Sequence, residues 1–179
     1  MIAQAFRSLL QSRCSAEIQM QMAALLSEAF SDLCRGQQLD LSPPRERRAL
    51  AEIHELKTGA LFAASVAFGV CGAGGSERAI AKAKQLGRSI GLAFQIVDDY
   101  LDIFGSLESR GRTESSDIRN NKLTFFNGSD KQNGLRLLEE TRIRVEEQLS
   151  LVAKEAPSGN TDFGKTRKLL DSIFSRVSA

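Results

Sequence analysis

Gly91-Leu92-Ala93-Phe94-Gln95-Ile96-Val97-Asp98-Asp99-Tyr100-Leu101-Asp102-Ile103-Phe104-Gly105 sets three carboxylates and an amide into an otherwise apolar segment. Projected as a helix at about 100° per residue, Asp98, Asp99 and Asp102 fall within about 60° of Gln95, and Gly91 and Arg88 share that stripe. Leu86, Ile90, Ala93, Phe94, Val97, Leu101 and Phe104 take the opposite face, with Leu92, Ile96 and Ile103 along one flank. A surface helix would carry a broad, mixed polar face. A narrow acidic strip on a helix that otherwise calls for burial requires a cation, because three close carboxylates cannot all stay ionised in a dry site. Oxygen-only ligands suit Mg²⁺ or Mn²⁺, and Mg²⁺ is commonly shared among a few carboxylates, waters and substrate phosphates. A solvated acidic edge is the alternative for Asp-Asp-x-x-Asp alone. The apolar surround, Gln95 and Gly91 favour a metal site with Asp98, Asp99 and Asp102 as ligands. An EF-hand is excluded, because Tyr100 stands at the third ligand position from Asp98 and no glycine stands at the sixth.

Outward from this strip the chain reads as helix throughout. Phe6, Leu9, Leu10, Ile18, Met22, Leu25, Leu26, Ala29, Phe30 and Leu33 recur at helical spacing, which predicts one or two helices over the first 35 residues. Ser42-Pro43-Pro44 breaks the chain and starts the next helix, since proline suits a first turn and fails inside one. That helix is expected over Arg45–Val70, with a kink near Lys57-Thr58-Gly59. Its small face of Gly59, Ala60, Ala63, Ala64 and Ala67 permits close approach by a neighbour. Gly72-Ala73-Gly74-Gly75-Ser76 forms a turn, with Ser76 capping the acidic helix that runs to Phe104. A polar loop from Gly105 to about Leu123 follows. Helices over roughly Asp130–Lys154 and Thr161–Val177 complete a single all-α domain spanning residues 1–179. No strand precedes the Gly72–Gly75 cluster and its spacing is not G-x-G-x-x-G, so a dinucleotide site is not indicated.

Composition narrows the function classes. A net charge of +2, one tyrosine and no tryptophan give no basis for nucleic-acid binding. The weakly polar run Gly59–Gly75 is too short for a membrane span, and the first residues lack the pattern of a signal peptide. Cys14, Cys34 and Cys71 are odd in number, far apart and free of any CxxC, and read as reduced core thiols of a cytoplasmic protein. Lys57 is out of place in a small-residue apolar helix unless it is paired; a lysine snorkelling beside a kink is the bland alternative. His54 has no partner at metal spacing and reads as structural. Glu139-Glu140 and Glu146-Glu147, with Arg136, Arg142 and Arg144 interleaved, read as a solvated helix face.

Several of these segments together carry a family resemblance. Phe94-Gln95-Ile96-Val97-Asp98-Asp99-Tyr100-Leu101-Asp102 resembles the second aspartate-rich motif of the trans-isoprenyl diphosphate synthases. Gly36-Gln37-Gln38-Leu39-Asp40-Leu41 resembles their G-Q-x-x-D-L segment, and Lys57-Thr58-Gly59 their Lys-Thr-Gly helix. Gly111-Arg112 stands where that family usually has Gly-Lys, Asp117 fits the acidic position after it, and Lys122-Leu123-Thr124-Phe125 resembles K-x-T-Y. The likeness covers about Gly36 to Phe125 and is greatest to the bacterial farnesyl diphosphate synthases (geranyltranstransferases).

The resemblance implies the C-terminal part of the isoprenoid synthase helical fold and condensation of an allylic diphosphate with isopentenyl diphosphate. It implies Mg²⁺ (or Mn²⁺) on Asp98, Asp99 and Asp102. Lys57 would contact a diphosphate, Thr58 would lie beside the reacting carbon, and Gln95 would lie near the allylic tail. As a bare residue, Gln95 could equally hydrogen-bond Asp98 or Asp99. Arg112 and Lys122 would be cations of a loop that closes on the diphosphate. Arginine in place of lysine keeps the charge but brings a planar fork. Gln37 and Asp40 would line the cavity mouth, or Asp40 would cap the helix end before Pro43.

Two departures stand out besides Arg112. Phe126 replaces a proline common in the family, and Glu114-Ser115-Ser116 replaces a glycine-richer run. The family's first aspartate-rich motif is also not found before Gly36, where Glu17, Glu28 and Asp32 are the only acids. The expectation is therefore a partial synthase domain without its N-terminal helices, inactive as an isolated chain and self-associating through uncovered apolar faces. The alternative is a non-catalytic all-α remnant or subunit that binds Mg²⁺–diphosphate or partners another synthase chain.

Overall fold

Serine caps start the two longest helices. Ser15, in extended backbone, accepts the Ile18 N–H at 3.4 Å, and Glu17 in the first turn complements the helix dipole of the helix it opens. Ser76 does the same for the acidic helix, accepting the Ala79 N–H at 3.2 Å with Glu77 beside it. The computed structural model describes residues 2–42, 50–105, 125–126, 131–157 and 163–177. In chain order the helices are α1 (Ile2–Leu10), α2 (Ala16–Leu41), α3 (Leu50–His54), a π-helical turn (Glu55–Gly59), α4 (Ala60–Gly72), α5 (Glu77–Phe104), α6 (Lys131–Glu155) and α7 (Gly164–Ser175). No strand occurs among the described residues, as the helical periodicity predicts.

The kink expected near Lys57 is the π turn, which separates α3 from α4. A Schellman arrangement ends α4. Gly74, at φ 78°, donates to the Cys71 carbonyl, and the Gly75 N–H donates to the Val70 carbonyl, both at 2.9 Å. Only glycine takes that backbone conformation without strain.

α5 lies in the middle of the molecule. Its Leu86, Ile90, Ala93 and Val97 are fully buried, and each large apolar side chain removed from water contributes about 1.5–3 kcal/mol. On one side α5 meets α4 and the π turn, which in turn rest on α2; on the other it meets α6 and α7. Val145, Leu149 and Val152 of α6 and Leu170 and Ile173 of α7 close the core over it. Two close approaches set the α4–α5 spacing. A Cβ on Gly87 would lie 2.4 Å from the Ala63 Cα, and one on Gly91 would lie 2.6 Å from the Gly59 Cα. The small face read from the sequence is thus met by glycines, and the two backbones nearly touch.

The outer faces are as expected for α6, where Arg142 pairs with Glu146 at 3.0 Å one turn on. The cysteines correct the reading. All three thiols are free, but only Cys71 is buried; Cys34 is exposed and Cys14 half-buried. Burial pushes the Cys71 thiol up from its ordinary pKa, with Cys14 adding to the effect, and the thiol donates to Gln21 Oε1 at 3.3 Å. Cys34 lies on the outward face of a helix whose inward positions are Met22, Leu26, Ala29 and Gly36. No helix among the described residues is long and apolar enough to cross a membrane.

Candidate functional site

Two residues one turn apart on α2 build the first wall. A Cβ on Gly36 would lie 2.4 Å from the Lys57 amide nitrogen, so only a glycine lets α2 rest on the backbone of the π turn. Asp40, on the same face one turn later, accepts from Lys57 Nζ at 2.6 Å with both side chains half-buried. The Gly36–Asp40 spacing therefore supplies an approach and a counterion to one turn. Asp40 lies within α2 and does not act as its cap; Ser42 ends the helix, donating its N–H to the Leu39 carbonyl.

The turn receiving this contact is a π turn, an uncommon geometry that recurs at functional sites because it redirects the side chains that follow. It presents Lys57 and Thr58, both half-buried. Arg88 of α5 holds it from the other side. Its guanidinium donates to Glu55 at 2.8 Å and lies 3.5 Å from Asp32 of α2, linking three elements. His54, 2% exposed, stacks on Phe125 with ring centroids 5.4 Å apart, consistent with a structural histidine.

The acidic strip is less uniform than its projection. Asp98 and Asp102 are half-buried one turn apart, whereas Asp99 is 2% exposed and turned inward. Asp99 Oδ2 accepts the Phe125 N–H at 3.0 Å, anchoring the segment where the chain returns to α5. Phe126 follows in an aromatic cluster with Tyr100 and Phe104, at centroid distances of 5.8 and 6.2 Å. Gly134 leaves room for this cluster beneath α6, and burial pushes the Tyr100 phenol up from its ordinary pKa. Asp99→Ala is expected to destabilise the chain by about 1–3 kcal/mol by orphaning a part-buried amide, whereas Asp99→Asn, which keeps an acceptor, costs less. Equal denaturation midpoints for the two variants would contradict the anchoring role.

Asp98 has a partner the sequence did not reveal. Arg176, at the end of α7, places Nη2 2.8 Å from Asp98 Oδ1, with its guanidinium carbon 5.6 Å from the Phe94 ring centroid. Gln95 is half-buried on the same helix, about one turn before Asp98 and Asp99. Arg112, Lys122, Gly111, Asp117 and Glu114–Ser116 lie outside the described residues.

These contacts decide what cation the strip could hold. No group of three acids is assembled among the described residues. One oxygen of Asp99 serves a backbone amide and one of Asp98 serves Arg176. The donors therefore fit Mg²⁺ in its usual mode, one or two carboxylates completed by water and ligand oxygens, and do not form a cage of three converging aspartates.

With this geometry in place, comparison with known proteins identifies the class. Residues 1–140 match the family model "Polyprenyl synthetase", and the chain belongs to that family. It is 34% identical over 130 residues to the farnesyl diphosphate synthase of Micrococcus luteus, covering 70% of this chain and 45% of that protein. It is 37% identical over 123 residues to geranylgeranyl pyrophosphate synthase 9, chloroplastic, of Arabidopsis thaliana, covering 65% and 34% of the two. The chain thus spans less than half the length of these relatives. The fold is that of the Helicobacter pylori geranyltransferase whose complex with magnesium and isoprenyl diphosphate has been solved, with a TM-score of 0.66, 20% identity, and coverage of 98% of this chain and 56% of that one. The isoprenoid synthase fold expected from the motifs is therefore present.

Proposed function

We propose that these residues form one wall of a site that condenses an allylic diphosphate with isopentenyl diphosphate, with a farnesyl-type product. The observation that carries this reading is the seating of Lys57. A glycine and an acid of α2 fix its turn, and that turn is pressed through Gly59 against Gly91 of α5, the helix that bears Gln95, Asp98 and Asp102. A cation and an acidic pair on adjoining elements are what a metal–diphosphate ligand requires.

When bound, Mg²⁺ would neutralise the diphosphate as its carbon–oxygen bond breaks. Asp98 and Asp102 are the residues we assign to hold it, with Asp99 acting mainly as the anchor of Phe125. Lys57 would bind a diphosphate oxygen, exchanging part of its contact with Asp40 for one with the ligand. Thr58 would lie beside the reacting carbon and Gln95 near the allylic tail, as the family resemblance implies. Arg112 and Lys122 would close on the diphosphate. The apolar flank of α5 would keep water from the developing positive charge. The 179 residues carry a single aspartate-rich motif, so the opposite wall is assigned to further sequence or to a second chain, and the isolated chain is expected to be inactive.

Lys57→Ala is expected to weaken binding of a non-hydrolysable geranyl thiodiphosphate in the presence of Mg²⁺ by roughly 10- to 100-fold, the range of a hydrogen bond to a charged group. Asp40→Asn should have a smaller effect. Unchanged affinity in Lys57→Ala would remove Lys57 from the site.

A second reading, that the chain acts as a non-catalytic subunit paired with another synthase chain, is favoured by apolar residues left in solvent. Met20, Phe30 and Leu41 of α2 are 73%, 40% and 75% exposed, and Leu61 of α4 is 39% exposed. On either reading the purified chain should self-associate. Light scattering should show a mass that rises with concentration; a monomer at every concentration would count against it.

A further inference from the structure

We infer that Arg176 is a built-in latch on the acidic strip: its guanidinium takes the place of the metal at Asp98, and ligand binding must displace it. The inference rests on the diphosphate-site reading above and adds a regulatory contact to it.

Three observations place the latch. Arg176 Nη2 lies 2.8 Å from Asp98 Oδ1, so one oxygen of the proposed ligand already faces a cation. Phe94, which the projection groups with the apolar residues, stands four residues before Asp98 and so only about 40° from it around α5, and its ring lies under the guanidinium carbon at 5.6 Å. Finally, α7 is fixed to the core by buried Leu170 and Ile173, so Arg176 is delivered to Asp98 by packing that does not depend on the ion pair. An arginine tethered this way loses little freedom on pairing, which makes it an effective competitor. The pair is also half-exposed, with side chains 36% and 35% accessible, so it can open without unfolding the core. Lys57 stands in a parallel state, paired with Asp40. One charged group on each half of the candidate site, Lys57 and Asp98, is thus paired within the chain.

Competition of this kind has a definite sign. Removing the guanidinium should strengthen metal-dependent binding, whereas removing a ligand contact would weaken it. By linkage, ligand must loosen the end of α7 as much as Arg176 opposes the ligand. Isothermal titration of the full chain with geranyl thiodiphosphate at fixed Mg²⁺, and of Mg²⁺ alone, is expected to give about two- to fivefold tighter binding for Arg176→Gln than for wild type, as for loss of a half-exposed ion pair. Hydrogen exchange of amides 173–177 should rise when ligand saturates the wild-type chain, and should already be high in Arg176→Gln. Arg176→Gln keeps Leu170 and Ile173, so thermal unfolding should stay close to wild type and confirm that the variant folds. Equal or weaker binding by Arg176→Gln would overturn the latch while leaving the diphosphate site standing. Failure of both proteins to bind would overturn the site and the latch together.

Discussion

Gly87→Val is expected to destabilise the chain by about 3 kcal/mol, through overpacking that the neighbouring backbone cannot relieve. A Cβ at this position would lie 2.4 Å from the Ala63 Cα and 2.5 Å from the Phe62 carbonyl oxygen. Both are main-chain atoms of α4, so accommodation requires the helices to separate rather than a side chain to turn aside. The separation would spread along the seam to the contact between Gly91 and Gly59, and so to the π turn that carries Lys57. A loss of that size lowers the melting temperature by roughly 6–12 °C in a chain of this length. Gly69→Ala is the matched control. It lies in the same small-residue segment, is exposed and has nothing within 4 Å of its Cβ position. There the substitution should stabilise by about 0.5–1 kcal/mol, because alanine loses less backbone entropy in a helix. Similar melting temperatures for the two variants would contradict the close-packed seam.

The fold was largely legible because its signals are local. Ser76 stands directly before its helix, Gly74-Gly75 ends α4, and the apolar spacing of α5 predicts most of the residues it buries. The break near Lys57 was also visible, but not its form, since a π turn depends on what presses against it from Gly36 and Arg88. The site was only partly legible for the same reason. Asp99 projects about 40° from Gln95, which groups it with Asp98 and Asp102. Its inward turn is set by Phe125, 26 residues away, whose amide it accepts. Arg176 is separated from Asp98 by the whole of α6 and α7, and no periodicity links the two. The sequence leaves Asp40 two roles because its partner, Lys57, lies on another element. Cysteine count and spacing group Cys34 with the core thiols, whereas its helix turns it outward.

The second large effect concerns Asp98. Its replacement by alanine removes a proposed ligand of the cation and also frees Arg176 from its partner. Even residues that only support metal ligands are worth about 10- to 100-fold in affinity, so loss of a ligand itself is expected to cost more than about 100-fold. Asp102→Ala should act in the same direction. Asp99→Asn should not, because the carboxylate we assign as an anchor keeps its acceptor.

Isothermal titration with geranyl thiodiphosphate, in Mg²⁺ and in chelator, on the wild-type chain and on Asp98→Ala, separates a metal–diphosphate site from an acidic strip of no such function. Saturable, Mg²⁺-dependent binding is expected of the wild type and is lost in Asp98→Ala. Equal binding by both proteins, or wild-type binding indifferent to Mg²⁺, would contradict the metal–diphosphate site.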